Sequence, residues 1–313
     1  MLEGALGAAG EYGPWIETTD DGRPRFRVGT WCLDGVAYRG SPFMDVERRL
    51  ERMDEVGIRH QVLSPNPLLW FHHIPSTTAV AYTQVHNDEM AQLVAAHADR
   101  LSGLAHLPVQ DPEAAAAELR RSVDLGLRGG AFGTDIGTTI DDPALDPIWQ
   151  AAQDLNVPVF LHPAPPGIDG PDDARVNHLG YELHGGFAAD ETVTVFHLVF
   201  GRVLERFPNL DIVISHGGGA TPMLMGRWRQ AMRTRPGGTG DPADVDRWVR
   251  RLWFDSHVGS EVAASALVAE VGSERLLFGT NFAGWDDDGP SLHGLDAETL
   301  TDNARRLLPG LPV

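Results

Sequence analysis

Short apolar runs alternate with amphipathic stretches along most of the chain. The runs, rich in Val, Ile, Leu and Phe, lie near residues 60–64, 102–107, 128–132, 157–161, 211–215, 252–256 and 275–279. Each is brief and bounded by Gly, Pro or charged residues, the pattern of a buried strand. The helical period appears between them, near 78–99, 112–125, 143–155, 190–206, 221–233, 242–251, 260–271 and 296–308. Asp111-Pro112-Glu113 and Asp142-Pro143-Ala144 put a side-chain acceptor and then proline where helices begin. Strands alternating with helices pair in parallel through right-handed crossovers. The expectation is an α/β fold, a distorted (β/α)8 barrel forming a single domain over 1–313. Seven strands can be counted, where a closed barrel has eight. Either the first strand is missing or the first 35 residues hide it.

Those first residues read differently. Trp15-Ile16-Glu17 and Phe26-Arg27-Val28 flank an Asp20-Asp21-Gly22 turn signal, which predicts a small β-hairpin insertion over about 15–40. Residues 42–56 form an amphipathic helix, with Glu47, Arg48, Glu51 and Arg52 on one side and Val46, Leu50 and Met53 on the other. Segment 163–189 is long and rich in Gly and Pro, and it follows a strand. It is expected to form an active-site loop. A second flexible loop is expected over 234–243.

The formal net charge is −19, which argues against a nucleic-acid partner, since phosphate backbones need Lys/Arg stripes. No stretch is apolar for long enough to span a membrane, and the N-terminus has no basic, apolar leader pattern. The single cysteine, Cys32, cannot build a disulfide within the chain or a cysteine zinc site. A cytoplasmic location is expected. Cys32 sits in the hairpin stretch, far in sequence from the candidate chemistry, and is not expected to be catalytic.

That chemistry gathers at strand ends. Val157-Pro158-Val159-Phe160-Leu161 stops at His162, and Ile212-Val213-Ile214-Ser215 stops at His216, which three glycines follow. In α/β folds the carboxyl ends of the strands carry the site, so the two imidazoles point to one shared centre. Ser64, Asn66, His106, Phe132 to Asp135, Asp255 to His257 and Asn281 share that face. His106 reads either as a hydrogen-bonded core histidine or as a substrate contact. Asp255 either orients a histidine or caps a helix. His72 and His73 read as surface residues of a loop. His162 and His216 would together be two metal ligands, where a catalytic zinc normally has three. Asn281 offers only a neutral amide oxygen, and Asp286, Asp287 and Asp288 read as a solvated loop.

The chain resembles the decarboxylase branch of the amidohydrolase superfamily. The resemblance runs from about Gly13 to the end, through Asp21-Gly22-Arg23-Pro24-Arg25-Phe26-Arg27-Val28, Arg48-Arg49-Leu50-Glu51-Arg52-Met53-Asp54, Asn87-Asp88 and Gly103 to Gln110. It continues through Phe160-Leu161-His162-Pro163, Phe207-Pro208-Asn209-Leu210, Ser215 to Ala220 and Leu277 to Asn281. It implies a distorted barrel, often dimeric, that holds one divalent metal. By the resemblance, His162 is the ligand on the fifth strand, and His216 is the ligand or acid/base on the sixth. Arg27 would bind the substrate carboxylate, and Arg227 would reach it across a dimer interface, a task suited to the guanidinium fork. Two departures stand out. The family's His-x-His strand would lie before residue 1, and its aspartate on the eighth strand is Asn281. Zinc is therefore expected to be weak or absent.

The function expected is a lyase, decarboxylase-like and possible without metal, acting on a small carboxylated aromatic or unsaturated metabolite. His216, His162 and Asn281 would be its catalytic residues, and Arg27, Arg227, His106 and Asp255 would bind substrate. The alternatives are a hydrolase or hydratase of the same superfamily and a non-catalytic homologue. A homodimer is expected, with neither nucleic-acid nor membrane partners.

Overall fold

The computed structural model describes residues 2–234, 240–282 and 291–312. Asp286, Asp287 and Asp288, and residues 235–239 of the loop expected at 234–243, lie outside these residues.

The N-terminal part forms an antiparallel sheet of β1 (Trp15–Thr18), β2 (Pro24–Val28) and β3 (Trp31–Asp34). The expected hairpin is thus extended by a third strand, on which Cys32 is exposed. Phe26 and Val28 point inward onto a satellite core with Tyr38, Leu69 and Phe71.

All seven expected parallel strands are present. They are β4 (Gln61–Leu63), the pair β5 (Leu101–Gly103) and β6 (Ala105–His106), β7 (Gly130–Phe132), β8 (Val159–Leu161), β9 (Ile212–Ile214), β10 (Trp253–Asp255) and β11 (Leu276–Leu277). β5 and β6 are one strand broken at Leu104. β5 pairs with β4 and β6 with β7, and the Leu104 amide still donates to the Leu63 carbonyl at 2.9 Å. From β6 the sheet runs in order through β7, β8, β9 and β10 to β11. Among the described residues, nothing pairs with the outer edges of β4 and β11.

Strand alternation sorts the side chains into two sets. Leu161, Ile212, Ile214, Phe254 and Leu276 face the helices and join the main core with Leu119, Ile148, Trp149 and Leu198. Phe160, Val213, Trp253 and Leu277 take the opposite face, where Leu307, Leu308 and Leu311 of the C-terminal segment pack against them. That inner face is not filled. One cavity of about 1910 Å³ touches Val62 on β4, Phe160 on β8, Val213 on β9 and Leu277 on β11. The sheet therefore curls on itself as in an α/β barrel, with the cavity on its inner side.

The helices that matter for the site are α1 (Val46–Glu55), α2 (Ser76–Ala96), α3 (Pro112–Asp124), α4 (Asp146–Leu155), α5 (Phe187–Phe200), α6 (Val203–Arg206) and α7 (Thr221–Thr234). Asp111 caps α3 by accepting from the Ala114 amide, with Pro112 in the first turn. The chain continues through α8 (Ala243–Val249), α9 (Glu261–Val271) and α10 (Ala297–Leu307). No described helix is long and apolar enough to cross a membrane.

Candidate active site

β8 and β9 are hydrogen-bonded neighbours, so the residues just past their carboxyl ends are brought together. The rings of His162 and His216 are 4.8 Å apart, edge to face. His257, beyond β10, is 5.6 Å from His216. All three line the cavity, with Asp255, Asn281 and Phe187.

The turn that carries His216 is tight. His216 has φ of 44°, and Gly217, Gly218 and Gly219 also have positive φ, a region that L residues other than glycine seldom adopt. A Cβ on Gly219 would fall on the carbonyl oxygen of Ala188 in the first turn of α5. The glycine run thus lets α5 approach β9 closely, and that approach delivers Glu191.

Glu191 is fully buried. Its Oε1 lies 2.5 Å from both His216 Nδ1 and Ser215 Oγ. A carboxylate only accepts, so Nδ1 carries the hydrogen, and any proton that His216 gives to a ligand leaves from Nε2. Among the described residues, Oε2 of Glu191 has no partner. Burial pushes the Glu191 carboxyl up, and the His216 and Ser215 contacts pull against it. His162 Nδ1 donates to the Pro163 carbonyl at 2.6 Å, which likewise reserves Nε2 for the cavity side. Burial, reinforced by His216, pushes His162 down to about 3, so this imidazole is neutral near pH 7. Burial also pushes the Asp255 carboxyl up, against the pull of His216 and His257. Asp255 accepts from the His257 amide at 3.0 Å. It caps no helix, because Ser260 caps α9.

Other expected site residues lie elsewhere. Arg27 is on the hairpin sheet, where Nη2 donates to Glu17 Oε1 at 2.6 Å and Nη1 to the Gly29 carbonyl at 3.0 Å. It does not line the cavity, and a surface carboxylate already occupies its fork. Arg227 is exposed on α7 and is also away from the cavity lining. His106 is a core histidine. It is fully buried, donates from Nε2 to the Trp70 carbonyl at 2.9 Å, and its amide donates to Asn87 Oδ1 at 2.8 Å. His72 is not a surface residue. It is buried, stacks on Trp70, and accepts from the Gly133 amide at 2.8 Å. His73 is half-buried and pairs with Asp135 at 3.3 Å.

One residue of the site escapes a reading of the sequence. Glu191 looks like one more polar residue in a helix, and no local signal marks it.

As a metal centre the donors fall short. Nε2 of His162 and of His216 are suitable, but among the described residues no group of three or more His, Cys, Asp or Glu side chains could hold a metal ion. Asn281 adds a neutral oxygen at most. The residues as placed do not complete the three-ligand set of a catalytic zinc.

A curled parallel sheet with titratable side chains gathered past its strand ends defines a barrel of the enzyme type. The amidohydrolase family matches residues 47–309, and the chain belongs to that family. It is 30% identical over 277 residues to 2-amino-3-carboxymuconate-6-semialdehyde decarboxylase of Dictyostelium discoideum, covering 87% of this chain and 75% of that protein. It is 31% identical over 259 residues to gamma-resorcylate decarboxylase of Polaromonas sp. strain JS666, covering 77% and 78%. A solved dihydroxybenzoic acid decarboxylase of Polaromonas sp. JS666, with bound manganese and the inhibitor 2-nitroresorcinol, superposes with a TM-score of 0.73 at 26% identity, covering 85% of this chain and 86% of that one.

Proposed function

We propose that the chain is a decarboxylase, a carbon–carbon lyase that removes the carboxyl group of a small aromatic or conjugated acid. The observation that carries this reading is His216, fixed by buried Glu191 and set against neutral His162 in the cavity. Decarboxylation of such an acid needs a proton at the carbon that bears the carboxylate and an acceptor for the electrons of the breaking bond. The conjugated frame of the substrate is that acceptor. His216 Nε2–H gives its proton to the carbon, and the imidazolium that carries it beforehand is stabilised by the Glu191 carboxylate. The carbon–carbon bond then breaks, its electron pair restores the conjugation, and carbon dioxide leaves. Substrate carboxylate plus one proton becomes product plus CO₂.

His162, kept neutral by burial, accepts hydrogen bonds at Nε2 from substrate hydroxyl or amino groups without adding a second positive charge. Asp255, half-buried, lines the cavity with His216 and His257. Phe160, Val213 and Leu277 give the conjugated frame an apolar surface to lie against. A related decarboxylase holds manganese, but no step here runs through a metal, because the donors do not complete a site. A homodimer belongs to the same proposal, with Arg227 offered from the exposed face of α7 to a neighbouring copy.

The test is carbon dioxide release from a panel of hydroxybenzoates and conjugated dicarboxylates, with the deuterium content of the product followed in D₂O. Release with one deuteron at the former carboxyl carbon is expected. A product heavier by one water and bearing a new hydroxyl group, with no carbon dioxide released, would replace this reading with a hydratase.

A further inference from the structure

Of the three imidazoles past the strand ends, His257 has no part in moving the proton to carbon. Its place in the site is nonetheless closely fixed. β10 lies beside β9, with Trp253 opposite Val213 and Phe254 opposite Ile214, so the chain leaves the two strands side by side. Past β10, Ser256 is fully buried and its amide donates to the Leu277 carbonyl at 2.9 Å. Asp255 accepts from the His257 amide at 3.0 Å, a side-chain turn that holds the backbone locally. The glycine turn after β9 packs against the next residue. A Cβ on Gly217 would lie 2.6 Å from Val258 Cγ1. Glycine there lets the two turns close up, and the His257 ring comes to 5.6 Å from that of His216, tilted by 56°.

His257 lines the cavity. Its backbone is held, but among the described residues its ring nitrogens have no hydrogen-bond partner. The other two imidazoles differ. Nδ1 of His216 is committed to Glu191, and Nδ1 of His162 to the Pro163 carbonyl. His216 is thereby set up as a proton donor. His162, pushed down to about 3 by burial and by His216, is too weak a base to keep a proton near pH 7. His257 is the imidazole left to receive one. Burial pushes the Asp255 carboxyl up, while His216 and His257 pull it down, so a proton on His257 is answered by an acid two residues before it.

We propose that His257 is the general base of the site, the group that takes the proton of a hydroxyl beside the reacting carboxyl. This rests on the decarboxylase reading for the steps that follow the proton transfer. The O–H bond breaks and its proton bonds to a ring nitrogen of His257. The electron pair left on oxygen enriches the carbon that bears the carboxylate. That carbon takes the proton of His216 Nε2, the carbon–carbon bond breaks, and carbon dioxide leaves. The electron pair of the broken bond restores the conjugation and returns charge to the oxygen, which recovers its proton from His257. Substrate carboxylate plus the one proton from His216 becomes product plus CO₂, and His257 ends as it began.

The experiment uses 2-nitroresorcinol with the intact protein. Its nitro group stands in for the carboxylate, and its flanking hydroxyls change colour when they ionise. The pH is set where most of the free probe is un-ionised. Binding to the wild type is expected to raise the ratio of ionised to un-ionised probe about tenfold, read from the visible absorption band. His257→Gln is expected to bind the probe within a few-fold of the wild type, yet to leave that ratio within about twofold of its value in free solution. Its kcat with 2,6-dihydroxybenzoate falls by about 10²-fold. A wild type that leaves the probe un-ionised, whether bound or unbound, overturns the assignment, as does ionisation that persists in His257→Gln. Thermal melts identify a variant that fails to fold, and His257→Asn then replaces it. Ionisation that depends on His257, with no carbon dioxide from any hydroxybenzoate, removes the decarboxylase reading and leaves the base standing.

Discussion

Glu191 Oε1 accepts hydrogen bonds from His216 Nδ1 and from Ser215 Oγ, both at 2.5 Å, from a side chain with no exposure to solvent. One oxygen therefore sets the tautomer of His216 and stabilises its protonated form. In Glu191→Gln the shape is kept and the charge is lost. We expect kcat to fall by about 10²-fold, with little change in KM and a lowered basic limb in the pH–rate profile. Unchanged kcat would show that His216 is protonated without help from Glu191.

His216→Ala removes the proton donor. Loss of about 10²–10⁴-fold in kcat is expected, with binding of 2,6-dihydroxybenzoate retained within a few-fold. Binding lost together with turnover would assign His216 to substrate affinity instead.

Gly219→Ala tests the approach of α5. The added Cβ collides with the Ala188 carbonyl, and the positive φ adds strain. A destabilisation of about 2–4 kcal/mol is expected in urea unfolding, with activity lost in step as Glu191 is displaced. Wild-type stability would mean that the turn relaxes freely.

Stability should fall in acid. Burial pushes His72 and His162 down to about 3 and His86 to about 4. Unfolded histidines bind protons below about pH 6.5, while the native ones stay neutral, so the unfolded state holds more protons in that window. Each histidine then contributes stability that is complete above about pH 6.5 and is lost on descending towards pH 3–4, with a slope of up to about 1.4 kcal/mol per pH unit. Asp190, pushed up to about 6, and the raised Glu191 act in the opposite direction below about pH 6. Urea midpoints measured from pH 7.5 to 5 should decline, and His72→Asn should decline less steeply. A flat profile would contradict neutral burial of these rings.

Metal dependence follows from the donor set. After dialysis against a chelator we expect well under one equivalent of metal per chain by elemental analysis, with carbon dioxide release retained. Activity that vanishes and returns with manganese would show that donors outside the described residues complete a site.

The strand-and-helix alternation was legible because each run is short, apolar and punctuated, and both histidines were legible because they end such runs. What was hidden depends on neighbours distant in sequence. Arg27 reads as a carboxylate binder until β1 and β2 pair and Glu17 takes it. His72 reads as a loop residue until Trp70 and Gly133 bury it. Glu191 acquires its meaning only where α5 crosses the glycine turn, a contact between segments that no local pattern encodes.

The rings of His162 and His216 are 4.8 Å apart, and of the two only His216 has a carboxylate behind it. Burial and that neighbour keep His162 uncharged. The pair therefore carries at most one positive charge near pH 7, and that charge has a fixed address.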